Sequence, residues 1–263
     1  MTAQATTTSQ HRLTFVGVPW SEWTKFSSLR SSWITLAVTV LVIVVPGLLV
    51  AATRDPANSG EIYDPLGSAT VMVALAALIV AAMGALLSAG EYSTGMIRST
   101  LTAIPTRLPM LLAKILVPAG AAFLTTIVCV LINLVVGDLL TDPDLVRSDA
   151  GAATILRVLI CSGLYLAAVT MIGVSLGILI RSSAGAISIF AGFLLILPQL
   201  LPALPQAVEE TVKPYHLGAA GLSVISEQPP EGHLAPGPAG AVLAVYVVVL
   251  VGSAALRLAK TDA

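Results

Sequence analysis

The sequence predicts an all-α integral membrane protein with six transmembrane helices. Of its 263 residues, 56% are hydrophobic and only 10% are charged, against about 25% charged in an ordinary soluble domain. The apolar residues are collected into long uncharged runs separated by short polar stretches. Each run is long enough for a helix to cross a hydrocarbon core of about 30 Å at about 1.5 Å per residue.

The spans fall at 33–52, 68–89, 111–137, 154–180, 184–204 and 239–256. Only Arg181, Ser182 and Ser183 separate the fourth and fifth. Together these two are far too long for one crossing, so they form a tight helical hairpin. Residues 1–32 are a polar tail that runs into a long apolar segment, unlike a cleavable signal with its short basic start and short core. The first span therefore reads as an uncleaved anchor. The longest outer connection is 205–238, in which 208–225 has enough apolar residues for short helices that dip back toward the bilayer or, alternatively, lies as a solvated loop. Residues 257–263 form a short tail.

An even number of spans places both termini on one side. That side holds Arg12, Lys25, Arg30, Arg98, Arg107, Lys114, Arg181, Arg257 and Lys260, nine basic residues against three acidic ones, a balance of +6. The other side holds four basic and eleven acidic residues, a balance of -7. The positive-inside rule counts the basic residues and makes the first side, with both termini, cytoplasmic. The chain is expected to be a multi-pass protein of a bacterial plasma (inner) membrane. Its net charge of -1 hides this asymmetry and carries no argument about nucleic acid, which is not expected as a partner.

Before the first span, Pro19 can open a helix with Trp20, Trp23, Phe26 and Leu29 on one drifting stripe. Two readings stay open: a helix lying flat in the membrane interface, or an aromatic belt leading into the span.

The chemistry that is missing narrows the function. No span carries Asp, Glu, Lys or His near its centre, as proton relays and intramembrane aspartyl proteases require. His11, His216 and His233 lie outside the spans, and there is no HExxH pattern. Cys129 and Cys161 sit inside apolar runs and read as packed free thiols. No catalytic, cofactor-binding or metal-binding residues are expected. The phosphate-cradling pattern GxxxxGK[ST] and the GxSxG elbow do not occur, so the chain is not expected to be an enzyme or to hydrolyse ATP by itself. Pro46 and Gly47, Pro118 and Gly120, and Pro198 and Pro202 interrupt spans, which neighbouring helices ordinarily tolerate. Gly173 and Gly177 form a GxxxG pair that permits close helix contact, and Asn133 reads as a polar tie between helices.

The most informative stretch is Gly90-Glu91-Tyr92-Ser93-Thr94-Gly95-Met96-Ile97-Arg98-Ser99-Thr100-Leu101, followed by Ile104-Pro105 and Lys114. It reads as a short cytoplasmic helix in a loop spanning 90–110. Ser93 or Thr94 caps its start, Glu91 favours the positive end, and Pro105 stops it after about two turns. This loop, the six-span frame and the segment Trp20-Ser21-Glu22-Trp23-Thr24-Lys25-Phe26-Ser27-Ser28-Leu29-Arg30-Ser31-Ser32-Trp33 resemble the ABC-2 type permease subunits of bacterial ABC transporters, over nearly the whole chain. In that family the corresponding loop begins with a glutamate and holds a glycine four residues on, as Glu91 and Gly95 do. The outer segment 213–221 is similar to the family's element between its last two spans, with a different placement of proline.

The resemblance implies the transmembrane domain of a type V exporter. It implies a coupling helix that docks on a separate ABC ATP-binding subunit through Glu91, Tyr92, Ser93, Thr94, Gly95, Met96, Ile97 and Arg98. ATP and Mg would be bound by that partner, a second permease copy or a related permease would complete the pathway, and transport would be outward. The substrate and its contact residues are not legible. A non-transporting anchor or sensor that recruits a cytoplasmic partner through the same loop remains as an alternative. An intramembrane lipid-modifying enzyme has no polar cluster to support it.

Overall fold

A computed structural model describes residues 17–53, 64–93, 107–140 and 150–260. The described residues form helices and contain no strands. The α-helices of six or more residues are, in chain order, α1 (Gly17–Ser28), α2 (Arg30–Ala52), α3 (Pro65–Thr70), α4 (Val73–Ser93), α5 (Arg107–Leu140), α6 (Ala152–Ile180), α7 (Ser183–Ala191), α8 (Gln206–Val212), α9 (Leu217–Ile225) and α10 (Pro236–Lys260). Six stretches are long and apolar enough to cross a membrane: Arg30–Ala52, Pro65–Tyr92, Leu108–Leu140, Ala152–Ile180, Ser183–Ala203 and Pro236–Lys260.

Helix α6 is the axis of the bundle. It is the most deeply covered of the six, packed on α4, α5 and α10. Small residues let α4 approach closely: a Cβ at Gly173 would lie 2.2 Å from the Ala81 carbonyl oxygen, and one at Gly177 would meet Ser88 and the Ala85 carbonyl. Gly84 faces the α6 backbone in the same way. Where water offers no hydrophobic drive between helices, such backbone proximity supplies the packing energy. The GxxxG pair therefore lies at a real helix crossing.

Asn133 ties three elements together. Its amide donates to the carbonyl of Ile43 at 2.9 Å and to that of Ala69 at 3.1 Å, and Gly47 clears the space it occupies. The Ala69 carbonyl sits beside the turn at Val71 and Met72 that separates α3 from α4. The polar tie expected from the sequence is present.

The α6–α7 hairpin turns at Arg181, whose φ of 58° is left-handed. Its N–H donates to the Gly177 carbonyl, and the Ser182 hydroxyl accepts from the Gly185 N–H to start α7. Beyond Ala191 the chain passes through a π turn, Gly192–Ile196. A π continuation would pair the Phe193 carbonyl with the nitrogen five residues on, which belongs to Pro198 and has no hydrogen. His216 fills the gap: its Nε2 lies 2.8 Å from the Phe193 carbonyl oxygen, while its Nδ1 accepts from the Gly218 N–H and caps α9. These partners assign the neutral Nε2–H tautomer.

Arg157 of α6 holds the other end of α9, donating to the carbonyls of Ser226 at 3.1 Å and Glu227 at 3.0 Å. A guanidinium at a helix C-terminus also complements its dipole. Between these clamps Leu217, Ala220, Gly221, Val224 and Ile225 are buried, with Gly221 against the ring of Tyr165. Thus α9 is folded into the bundle, whereas α8 has no buried residue.

Candidate functional site

The sequence expectation focuses on the turn between α4 and α5. Glu91, Tyr92 and Ser93 belong to the last turn of α4, so the helix continues past the start of the expected 90–110 loop, and Arg107 already begins α5. Ser93 is the last residue of α4. Thr94, Gly95, Met96, Ile97 and Arg98 lie outside the described residues.

Where α4 ends and α5 begins, four charged side chains close into a ring. Lys114 of α5 reaches Glu91 Oε1 at 2.5 Å and Glu22 Oε2 at 3.4 Å. Lys25 of α1 reaches Glu22 Oε1 at 2.8 Å and Glu91 Oε1 at 3.3 Å. Glu22, Glu91 and Lys114 are buried, while Lys25 is half-buried at the rim. Two carboxylates and two ammoniums cancel, which makes burial of four charges tolerable where a single one would be expelled. Burial alone works most strongly against the Lys25 ammonium, but the hydrogen bond and charge of Glu22, with Glu91, outweigh it and raise its pKa above the ordinary lysine value. Glu91 Oε2 is buried without a hydrogen-bond partner among the described residues.

Helix α1 reaches this ring because Val18, Glu22 and Phe26 share one face at i, i+4, i+8 and turn it toward the bundle. The aromatic stripe expected from the sequence is split. Phe26 is buried, whereas Trp20, Trp23 and Leu29 are exposed. An i+3 series moves about 60° per step around a helix and cannot remain on one face over four members. The Trp33 indole N–H donates to the Ser27 carbonyl at 2.8 Å and braces the corner between α1 and α2.

Next to the ring, the Arg181 guanidinium lies over the Tyr92 ring, 5.1 Å from its centroid. Arg257 of α10 donates to the Leu179 carbonyl near the end of α6. The last turn of α4 is thereby tied to α1, α5 and the α6–α7 hairpin. Glu22 and Lys25 were not anticipated as partners of Glu91. The available signal was a lone glutamate and a lone lysine, Glu91 and Lys114, each set in an apolar stretch. Among the described residues no three His, Cys, Asp or Glu side chains come together as a metal site.

The ring ties the end of α4 and the start of α5 to each other and to α1, a mechanical arrangement. The model of a family described as ABC-2 family transporter protein matches residues 20–198, about two thirds of the chain. That match begins inside α1, at Trp20, and includes the whole charged ring and the segment between α4 and α5. A comparison with curated proteins gives no match.

Proposed function

The chain belongs to the ABC-2 family of transporter proteins and is a membrane permease of an ABC transporter, and we propose that it forms half of an export pathway driven by a separate ATP-binding subunit. The ring of Glu22, Lys25, Glu91 and Lys114 is the observation that carries this reading, because it ties the end of α4 and the start of α5 to α1 and to each other. A push arriving at these two helix ends is then transmitted to both long helices together.

In this reading residues 94–101 form a coupling helix that docks on the ATPase, with Gly95 allowing close backbone approach and Met96, Ile97 and Arg98 making contact. Glu91 and Tyr92 position it from the α4 side. The partner binds ATP and Mg, and two such partners act on two permease copies or on this chain and a related permease. Closure of the ATPase pair tilts α4 and α5, and the permease interface is the element with two arrangements. Both termini and the charged ring lie on the cytoplasmic side of a bacterial plasma membrane, in keeping with the excess of basic residues there. The exposed Trp20 and Trp23 rest in the lipid interface, where indoles are favoured.

Affinity purification of tagged chain in mild detergent, with mass spectrometry and an ATPase assay, tests this. An ATP-binding subunit is expected to co-purify and to be lost from Glu91→Gln and Arg98→Glu variants that remain folded. Absence of any ATPase from an intact preparation would remove the coupling role.

A further inference from the structure

Between α1, the start of α2, α4 and α5 lies a cavity of about 360 Å³. Its walls divide by chemistry. Phe26, Leu86, Leu87, Val117 and Pro118 supply an apolar part, and the charged ring with Ser31 supplies a polar one. We infer that this cavity binds a membrane phospholipid whose headgroup carries both a phosphate and a primary amine, with an acyl chain along the apolar wall.

Charge complementarity fixes the occupant. The ring presents both signs in balance, so neither a purely anionic nor a purely cationic headgroup would leave it neutral. Lys25 is the partly exposed member, and its two carboxylate contacts leave one ammonium N–H for a phosphate oxygen. The start of α2 lies on the same wall: Leu29 occupies its N-cap without a side-chain hydrogen bond, and while the Ser32 N–H is bonded to the Leu29 carbonyl, the N–H groups of Arg30 and Ser31 at the first two helical positions face no side-chain cap and suit an anion. On the opposite wall, Glu91 has one buried carboxylate oxygen with no partner among the described residues. A primary ammonium supplies the donor it lacks. A trimethylated amine has no N–H and cannot replace it.

This inference does not depend on coupling to an ATPase. Its test is native mass spectrometry on the delipidated full chain, offered equal amounts of phosphatidylethanolamine, phosphatidylcholine and phosphatidylglycerol. Retention of the ethanolamine lipid is expected to exceed that of the other two by about fivefold, as for a charge-assisted hydrogen bond gained. Soluble phosphoethanolamine at the same concentration is expected to remain unbound, because it lacks the acyl chain. The preference should fall to the level of the other lipids in Lys25→Gln, which alters the polar end, and in Leu86→Trp, which fills the apolar end from a partly exposed position. Equal retention of the three lipids overturns the inference, as does a preference surviving both substitutions or equal binding of the soluble headgroup.

Discussion

The Lys114 ammonium lies 2.5 Å from Glu91 Oε1 and so closes the start of α5 onto the end of α4. Because Glu22 and Lys25 complete the ring, loss of one member leaves a buried charge in excess. Lys114→Met is expected to cost about 3–5 kcal/mol, the range for breaking a buried pair from one side. The double variant Glu91→Gln, Lys114→Met should cost clearly less than the sum of the single changes. Thermal unfolding in detergent measures both, and additive costs would show that the two groups do not interact.

The three tryptophans of the chain are Trp20, Trp23 and Trp33, so intrinsic emission reports on α1 and the start of α2 alone. The pKa of Lys25 is raised in the folded protein above 10.5. Its contribution is therefore fully present below the unfolded value and is lost as pH rises through the folded value. Emission should stay constant across neutral and mildly alkaline pH and change only above about 10.5. A transition near pH 8 would contradict the ring.

Gly173→Ala places a methyl against the Ala81 carbonyl of α4 and is expected to destabilise by about 1–3 kcal/mol through overpacking. At Gly120 an added Cβ meets nothing within 4 Å. Gly120→Ala should accordingly be neutral or stabilising by up to about 1 kcal/mol. The contrast in melting temperature separates close contact from general glycine content.

Asn133→Leu removes the donor to Ile43 and Ala69 and should cost about 0.6–2 kcal/mol, the range for interhelical hydrogen bonds in membranes. Gly47→Ala drives a methyl into the same amide, so the two changes should combine to less than their sum. Unfolding of the single and double variants decides this.

Polar side chains hold α9 at its two ends, His216 to the π turn and Arg157 to the carbonyls of Ser226 and Glu227 just past its last residue. His216→Leu and Arg157→Leu are each expected to speed amide hydrogen exchange in 217–225 while leaving the centre of α6 protected. Uniform acceleration would mean that the clamps support the whole bundle.

The spans and the tight hairpin at Arg181 were legible because a run's length and lack of charge need no tertiary information. Asn133 was legible for a related reason, since a lone amide at membrane depth requires a partner. The ring was not: Glu22 meets Lys114 across 92 residues and Lys25 meets Glu91 across 66, and no local spacing encodes such pairs. The π turn at Phe193 was equally hidden. Pro198 marked a missing donor, but nothing local named His216 as the replacement. In α1 the aromatic residues suggested one face, and the 3.6-residue period divided them, with Phe26 inward and both tryptophans outward.

We propose that residues 94–101, between α4 and α5, are the contact with an ATP-binding subunit. A photo-activated crosslinking residue placed at Met96 or Ile97 in intact cells tests it directly. An adduct with an ATP-binding protein is expected at both positions, and none from a control at Val248 on the exposed side of α10. Adducts at Val248 but not at 96 or 97, or adducts only with proteins that bind no ATP, would contradict it.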